Sequence, residues 1–214
     1  MATATLWSNV QVAMESARAA GKTISAIAKE AAPATVSATA NGYSDGDYVV
    51  LDVLGMYQVD DRVFRVDNAA ADAFDIEGEA TTAYDTFSSG AAYKLTFGTT
   101  LAVLTSLSAS GGGASFIDVT TIHDNVRKQI PGIAEAASYS FEAIWDVSDA
   151  GLVALKAASD DQSQKAFKFT FANGQIMTFL GYVSCTLLPT GSNQELVKTS
   201  VTITMFGTPT YYAA

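Results

Sequence analysis

Between Ser138 and Val147 the chain reads SYSFEAIWDV. Tyr139, Phe141, Ala143, Trp145 and Val147 fall on one side of an extended backbone. Ser140, Glu142 and Asp146 fall on the other. Strand side chains alternate faces with a period of two, so this pattern predicts a half-buried strand. A lone strand leaves its backbone groups unpaired, so the chain must supply neighbours. It offers several. AFKFTFANGQIMTFLGYVSCTLL reads as a hairpin, with Asn173-Gly174 at the positive-φ positions of a type I′ turn. That turn pairs Phe171 with Ile176, Phe169 with Thr178 and Phe167 with Leu180. In ELVKTSVTITMFG, Val197, Val201, Ile203 and Met205 share a face, and Gly207 and Pro209 end the strand. Near the start, Val10, Val12 and Met14 alternate with Asn9 and Gln11. Leu152 and Leu155 recur at helical spacing, with Ser148 as the capping hydroxyl and Asp149 at the positive end of the dipole. The expected fold is mainly β, a sandwich or barrel with one short α-helix.

Charge divides the chain. Residues 41–90 hold eleven of its acids and only two bases, Arg62 and Arg65, against a total net charge of −10. TISAIA, ATVSATA, DYVVLDVL, DRVFRVDNA and AFDIEG are short strand candidates set apart by turn residues. Residues 23–90 therefore read as an inserted, acidic, small β-barrel-like module. Residues 1–22 and 91–214 form the other domain. The acidity argues against a phosphate-neutralising groove and against attachment to anionic lipid. No apolar run approaches the roughly 20 residues of a membrane-spanning helix. The first residues lack a signal-peptide pattern. The chain reads as soluble and made in a cytoplasm.

Chemical motifs are weak throughout. Asp45, Asp47 and Asp52 have nearly the spacing of a calcium loop, but Val49 and Val50 stand where a ligand and a glycine are needed. A Gly/Asp turn feeding a strand is the expected structure there. Cys185 is the sole cysteine, so no intrachain disulfide can form, and its apolar strand predicts an inert thiol. His123 is the sole histidine and has no nucleophile placed beside it. Gly111–Gly113 lacks the lysine and hydroxyl of a P-loop and reads as a flexible connector. Phe167, Phe169 and Phe171 form an aromatic stripe that belongs to the core. No catalytic, metal or cofactor residue is assigned. FIDVTTIHDNVRKQIPGIAEAA has no clean period, so residues 118–137 read as a long loop, with Pro131-Gly132 marking a turn. His123, Asp124, Arg127, Lys128, Pro131 and Gly132 are its candidate contact residues. The basic pair Arg127-Lys128 is placed to meet an acidic surface on a neighbouring copy.

AFKFTFANGQIMTFLGYVSC followed by VTITMFGTPT resembles the tail tube (major tail) proteins of long-tailed bacteriophages. VTTIHDNVRKQIPGI and the N-terminal TLW are similar to that family as well. The acidic block, with Gly42, Gly46 and Gly55 at its turns, resembles a small β module found in phage structural proteins and in ubiquitin-activating enzymes. Asn41 stands there where His is common. The family resemblance implies a structural virion protein, not an enzyme. Its copies would form six-membered rings that stack into a hollow tube, with the helix outside and the long loop reaching the next ring. DNA would pass through without specific binding, along a channel that tends to be acidic in this family. Tape-measure, tail-terminator and distal tail proteins would be further partners. Assembly in the bacterial cytoplasm and residence in the virion tail follow from the same resemblance. The acidic module is expected to be a peripheral decoration, dispensable for the tube. The alternative reading is a monomeric β-rich binding module on a virion or cell surface. A metal-dependent hydrolase using the Asp cluster stands third.

Overall fold

The structure is a computed structural model and describes residues 9–214. The TLW motif lies outside the described residues. Among the described residues, three antiparallel sheets and one helix account for the architecture. The first sheet takes strands β1 (Gln11–Met14), β10 (Thr99–Thr100), β11 (Leu104–Ser110), β14 (Ser138–Ile144), β15 (Lys165–Thr170), β16 (Ile176–Cys185) and β17 (Lys198–Tyr212). Their order is β10-β1-β15-β16-β17-β14-β11. The second takes β2 (Ala17–Arg18), β3 (Lys22–Ile24), β4 (Ala26–Ile27), β5 (Ala34–Ser37), β6 (Tyr48–Leu54), β7 (Arg62–Asp67), β8 (Ala73–Ile76) and β9 (Ser89–Thr96). The third is a two-stranded hairpin of β12 (Ala114–Asp118) and β13 (Gln129–Ala134). Helix α1 spans Ala150–Asp160.

The first sheet curls around an aromatic core. Strands β14 and β15 are separated in the sheet by β16 and β17, yet the Tyr139 and Phe169 rings lie 5.3 Å apart and Phe141 and Phe169 6.1 Å. A flat sheet would hold them about three strand spacings of 4.8 Å apart. Phe167, Phe169, Phe179, Phe141 and Ile203 are all fully buried there. Leu152, Leu155 and Ala158 of α1 close the concave side. Asp149 caps the helix, accepting from the Leu152 backbone N–H, whereas the Ser148 hydroxyl turns back to Asp146. The cap is therefore one residue later than the sequence predicts.

The hairpin register also differs by one residue. Phe167 pairs with Phe179 and Phe169 with Met177. The connection is Ala172-Asn173-Gly174, because the Phe171 N–H bonds the Gln175 carbonyl and the Gly174 N–H bonds Phe171. Only Gly174 has positive φ, at 86°. This is a three-residue loop with a left-handed glycine rather than a type I′ pair. The slip sends Phe179 into the core and Leu180 to the opposite face, since one residue of register exchanges faces.

Gly207 and Pro209 do not end β17. They form a bulge, with Leu180 opposite Phe206 and Thr178 opposite Thr210. Gly207 adopts φ 74°, which lets the strand bend and continue to Tyr212. Val197 precedes the strand and is about half exposed, and buried Thr199 takes the face assigned to it.

The predicted acidic-block strands form as β3 to β8, and the second sheet reaches beyond them on both sides, from Ala17 to Thr96. The stretch NGYSDGDYVV makes the turn into β6. Asn41 is buried, donates to the Ala38 and Ala70 carbonyls and accepts from the Tyr43 N–H. Asp45 accepts from the Ala69 N–H, Asp47 pairs with Lys94, and Asp52 projects to solvent from β6. The three carboxylates point in different directions, two of them to structural partners.

The two large sheets are joined by an apolar contact. Val50, Val63 and Leu95 of the second meet Ala166 and Leu180 of the first. Polar contacts bracket it. The Thr178 hydroxyl donates to the Val63 carbonyl at 3.2 Å, and the Arg65 backbone N–H donates to the Tyr212 hydroxyl at 2.6 Å. The Arg65 guanidinium also lies 4.7 Å over the Tyr212 ring. Burial beneath this contact drives the Tyr212 phenol well above its ordinary pKa.

Candidate assembly surfaces

Of residues 118–137, expected as a loop, 119–128 and 135–137 carry no strand, while Asp118 and Gln129–Ala134 belong to a hairpin arm whose tip is the 119–128 loop. Isoleucine and valine favour extended backbone, and the β12–β13 ladder satisfies it. Pro131 lies inside β13 opposite Phe116, beside a register shift, and Gly132 follows it. A proline at a bulge of an edge strand sacrifices no ladder bond, so the pair marks an irregularity and not a turn. The glycine run at the arm's root is tightly held. Gly112 donates to the Glu135 carbonyl, and Glu135 donates back to Gly113. A side chain at Gly111, where φ is 79°, would collide with the Ala136 carbonyl. The run is a built corner and not a flexible connector.

All six predicted contact residues lie on this one arm. The tip turns where Asp124 accepts from the Thr121 N–H and hydroxyl, both at 3.0 Å. His123 is exposed beside it. Arg127 pairs with Asp118 at 3.4 Å and Lys128 with Asp124. Thr120 hydrogen bonds hold the Asp118 carboxyl below its ordinary pKa, and Lys128 does the same for Asp124. The two bases are thus engaged within the arm.

What the sequence reading missed is apolar. Ile122 is 96% exposed, Ile133 89% and Phe116 65%, with Ile117, Val126 and Ile130 also open to solvent. A two-stranded hairpin alone is marginal in water, and such a patch marks a contact surface. The usable signal was the density of β-branched residues around the basic pair. At the root lies an open groove of about 750 Å³, lined in part by Tyr139, Met205, Phe206 and Tyr211. A second unfinished surface is the edge of the first sheet. Among the described residues, seven-residue β11 pairs only with β14, so its outer backbone groups have no strand partner.

Cys185 is buried in β16, and burial raises its thiol pKa. Maleimide labelling of the native chain at neutral pH is expected to be at least tenfold slower than in denaturant, because the exposed thiolate is the nucleophile. Equal rates would contradict the buried placement. No helix among the described residues is long and apolar enough to cross a membrane.

A curled sheet with an open edge strand and an arm of exposed apolar side chains leaves two surfaces of this β protein uncovered in the single chain. The chain belongs to the phage tail tube protein family: the family profile described as phage tail tube protein, TTP, matches residues 55–214. The match begins in the turn after β6, inside the acidic block, and runs to the C-terminus. No curated protein matches the chain. The family makes this a structural component of the phage tail.

Proposed function

We propose that copies of this chain join through their sheet edges into six-membered rings, and that the arms bind one ring to the next. The rings stack into a hollow tube through which DNA leaves the virion. The tube ends on terminator and distal tail proteins and encloses a tape-measure protein before ejection. Assembly takes place in the host cytoplasm, and the subunit performs no catalysis. The observation that carries this reading is the pairing of an open seven-residue edge with an arm whose apolar side chains have no cover. Joining edges would satisfy the β11 backbone, and stacking would bury the arm. The arm contact is apolar first, with Arg127 and Lys128 at its polar rim. Residues 23–90 are the inserted module, and its β6 and β7 hold it against the tube sheet. Negative-stain microscopy of the concentrated, purified chain is expected to show hollow filaments of uniform width. Particles of single-subunit size at every concentration would favour the monomeric reading.

A further inference from the structure

The face of β14 opposite the core is paved with hydroxyls. Ser108, Ser140, Thr202 and Ser184 are paired neighbours across four strands, β11, β14, β17 and β16. Ser110, Ser138, Thr204 and Tyr182 form a parallel row on one side of them, with the Tyr182 ring 5.9 Å from that of Phe206. On the other side, Ser106 and Ser200 flank Glu142. Glu142 is paired with Lys198 at 3.0 Å, so the strand residues of this face carry no net charge, and Glu195 of the adjoining loop borders the pair. Most of these residues are exposed. The module covers a different part of the sheet, at Ala166, Thr178 and Leu180, and α1 covers the concave side.

We propose that this hydroxyl face is the wall of the DNA channel, and that it passes duplex DNA by being neutral rather than acidic. The inference rests on the tube reading above. If sheet edges join into a ring, one sheet face must turn inward. The hydroxyl face is the broad sheet surface that neither helix nor module occupies. Its chemistry suits passage. Duplex DNA carries about one charge per 1.7 Å, so lysines or arginines on a channel wall would retain it. Five of the hydroxyls, on Ser108, Ser110, Ser138, Ser140 and Thr202, are engaged with each other or with the backbone. Ser110 and Ser138 bond at 2.9 Å, Ser140 and Thr202 meet at 3.5 Å, and Ser108 reaches the Ser140 carbonyl at 3.5 Å. Donors used in these bonds are not available to grip phosphates. The chain's acid instead lies mainly in residues 41–90, on the module.

Single-cysteine labelling tests the placement, since native Cys185 is buried. Ser140→Cys and Ser108→Cys would each be assembled and treated with a small maleimide and with a maleimide carried on a folded protein. In tubes, the small reagent is expected to label both variants, and the protein-borne reagent to label them at least tenfold more slowly than it labels free subunits. Equal protein-borne labelling of tubes and free subunits would put the face outside and overturn the proposal. Protection from both reagents would bury it between subunits and overturn it too. Absence of any tube for the unmodified chain would remove the tube reading itself. The charge claim has its own readout. Phage carrying Ser140→Lys with Thr202→Lys is expected to build tails of normal appearance and release DNA on the order of tenfold less efficiently. Unchanged release from such tails would contradict a DNA-facing wall.

Discussion

Replacing Ile122 and Ile133 together with aspartate is expected to abolish tube formation and leave the subunit folded. Both side chains are almost wholly exposed in the single chain, so the subunit loses no packing. Surface changes of this kind shift stability by about 0.5 kcal/mol or less. In a stacked tube the same positions would be covered. Burying each isoleucine contributes roughly 1.5–3 kcal/mol, and a buried unpaired carboxylate adds a further penalty. Repeated at every subunit, the loss exceeds what ring stacking can absorb. Sedimentation would show rings or monomers in place of filaments, and thermal unfolding would remain within a few degrees of the unmodified chain. Arg127→Glu with Lys128→Glu is the comparison. Those bases pair with Asp118 and Asp124 on the exposed arm, where ion pairs contribute about 0–1 kcal/mol. The charge reversal is expected to shorten or slow tubes, with the apolar double variant far more severe. If the reversal were the more severe of the two, the arm contact would be electrostatic.

Removing residues 23–90 is expected to leave a chain that cannot fold, which reverses the sequence-based expectation of a dispensable decoration. The excision takes away β6, whose seven residues pair with β9, and β7, which packs on β16 and β17. Leu180, fully buried against Val50 and Val63, would face water. The Thr178 and Tyr212 hydroxyls would lose their backbone partners. Each buried Leu-sized side chain exposed costs roughly 1.5–3 kcal/mol, and a domain has only about 5–15 kcal/mol in hand. The truncated chain should be insoluble or lack a cooperative thermal transition. A soluble, cooperatively folding product would show that the first sheet stands alone. Leu180→Asp in the full chain offers a milder version, destabilising by several kcal/mol through one buried charge.

The class of fold was legible because alternation is a local property. Phe141, Phe167, Phe169, Val201 and Ile203 are core residues in the structure, as their spacing predicts. Register was less legible. Asn173-Gly174 is compatible with a two-residue or a three-residue loop, and only the packing of Phe179 against Phe167, at 5.6 Å between rings, selects the longer one. Gly207 and Pro209 read as an ending because glycine and proline punctuate strands. Here a long partner strand, β16, carries β17 through the bend. The arm was the least legible element. Among the described residues its large apolar side chains stay exposed, so no buried face imposed a period on the sequence. For the same reason the basic pair stands out in the sequence and the exposed isoleucines do not. The contact between the two sheets depends on Leu180 and Val63, more than a hundred residues apart. No local pattern records that meeting.

The central claim is that open sheet edges and apolar arms make this subunit a tube. A helical reconstruction of filaments from the purified full chain tests it most directly. The predicted map shows β11 continuing into a neighbouring subunit's sheet, the β12–β13 arm seated on the adjacent ring, and the hydroxyl face of β14 and β17 lining an open channel. A map with β11 and the arm both in solvent, or a chain that never forms filaments, would contradict it.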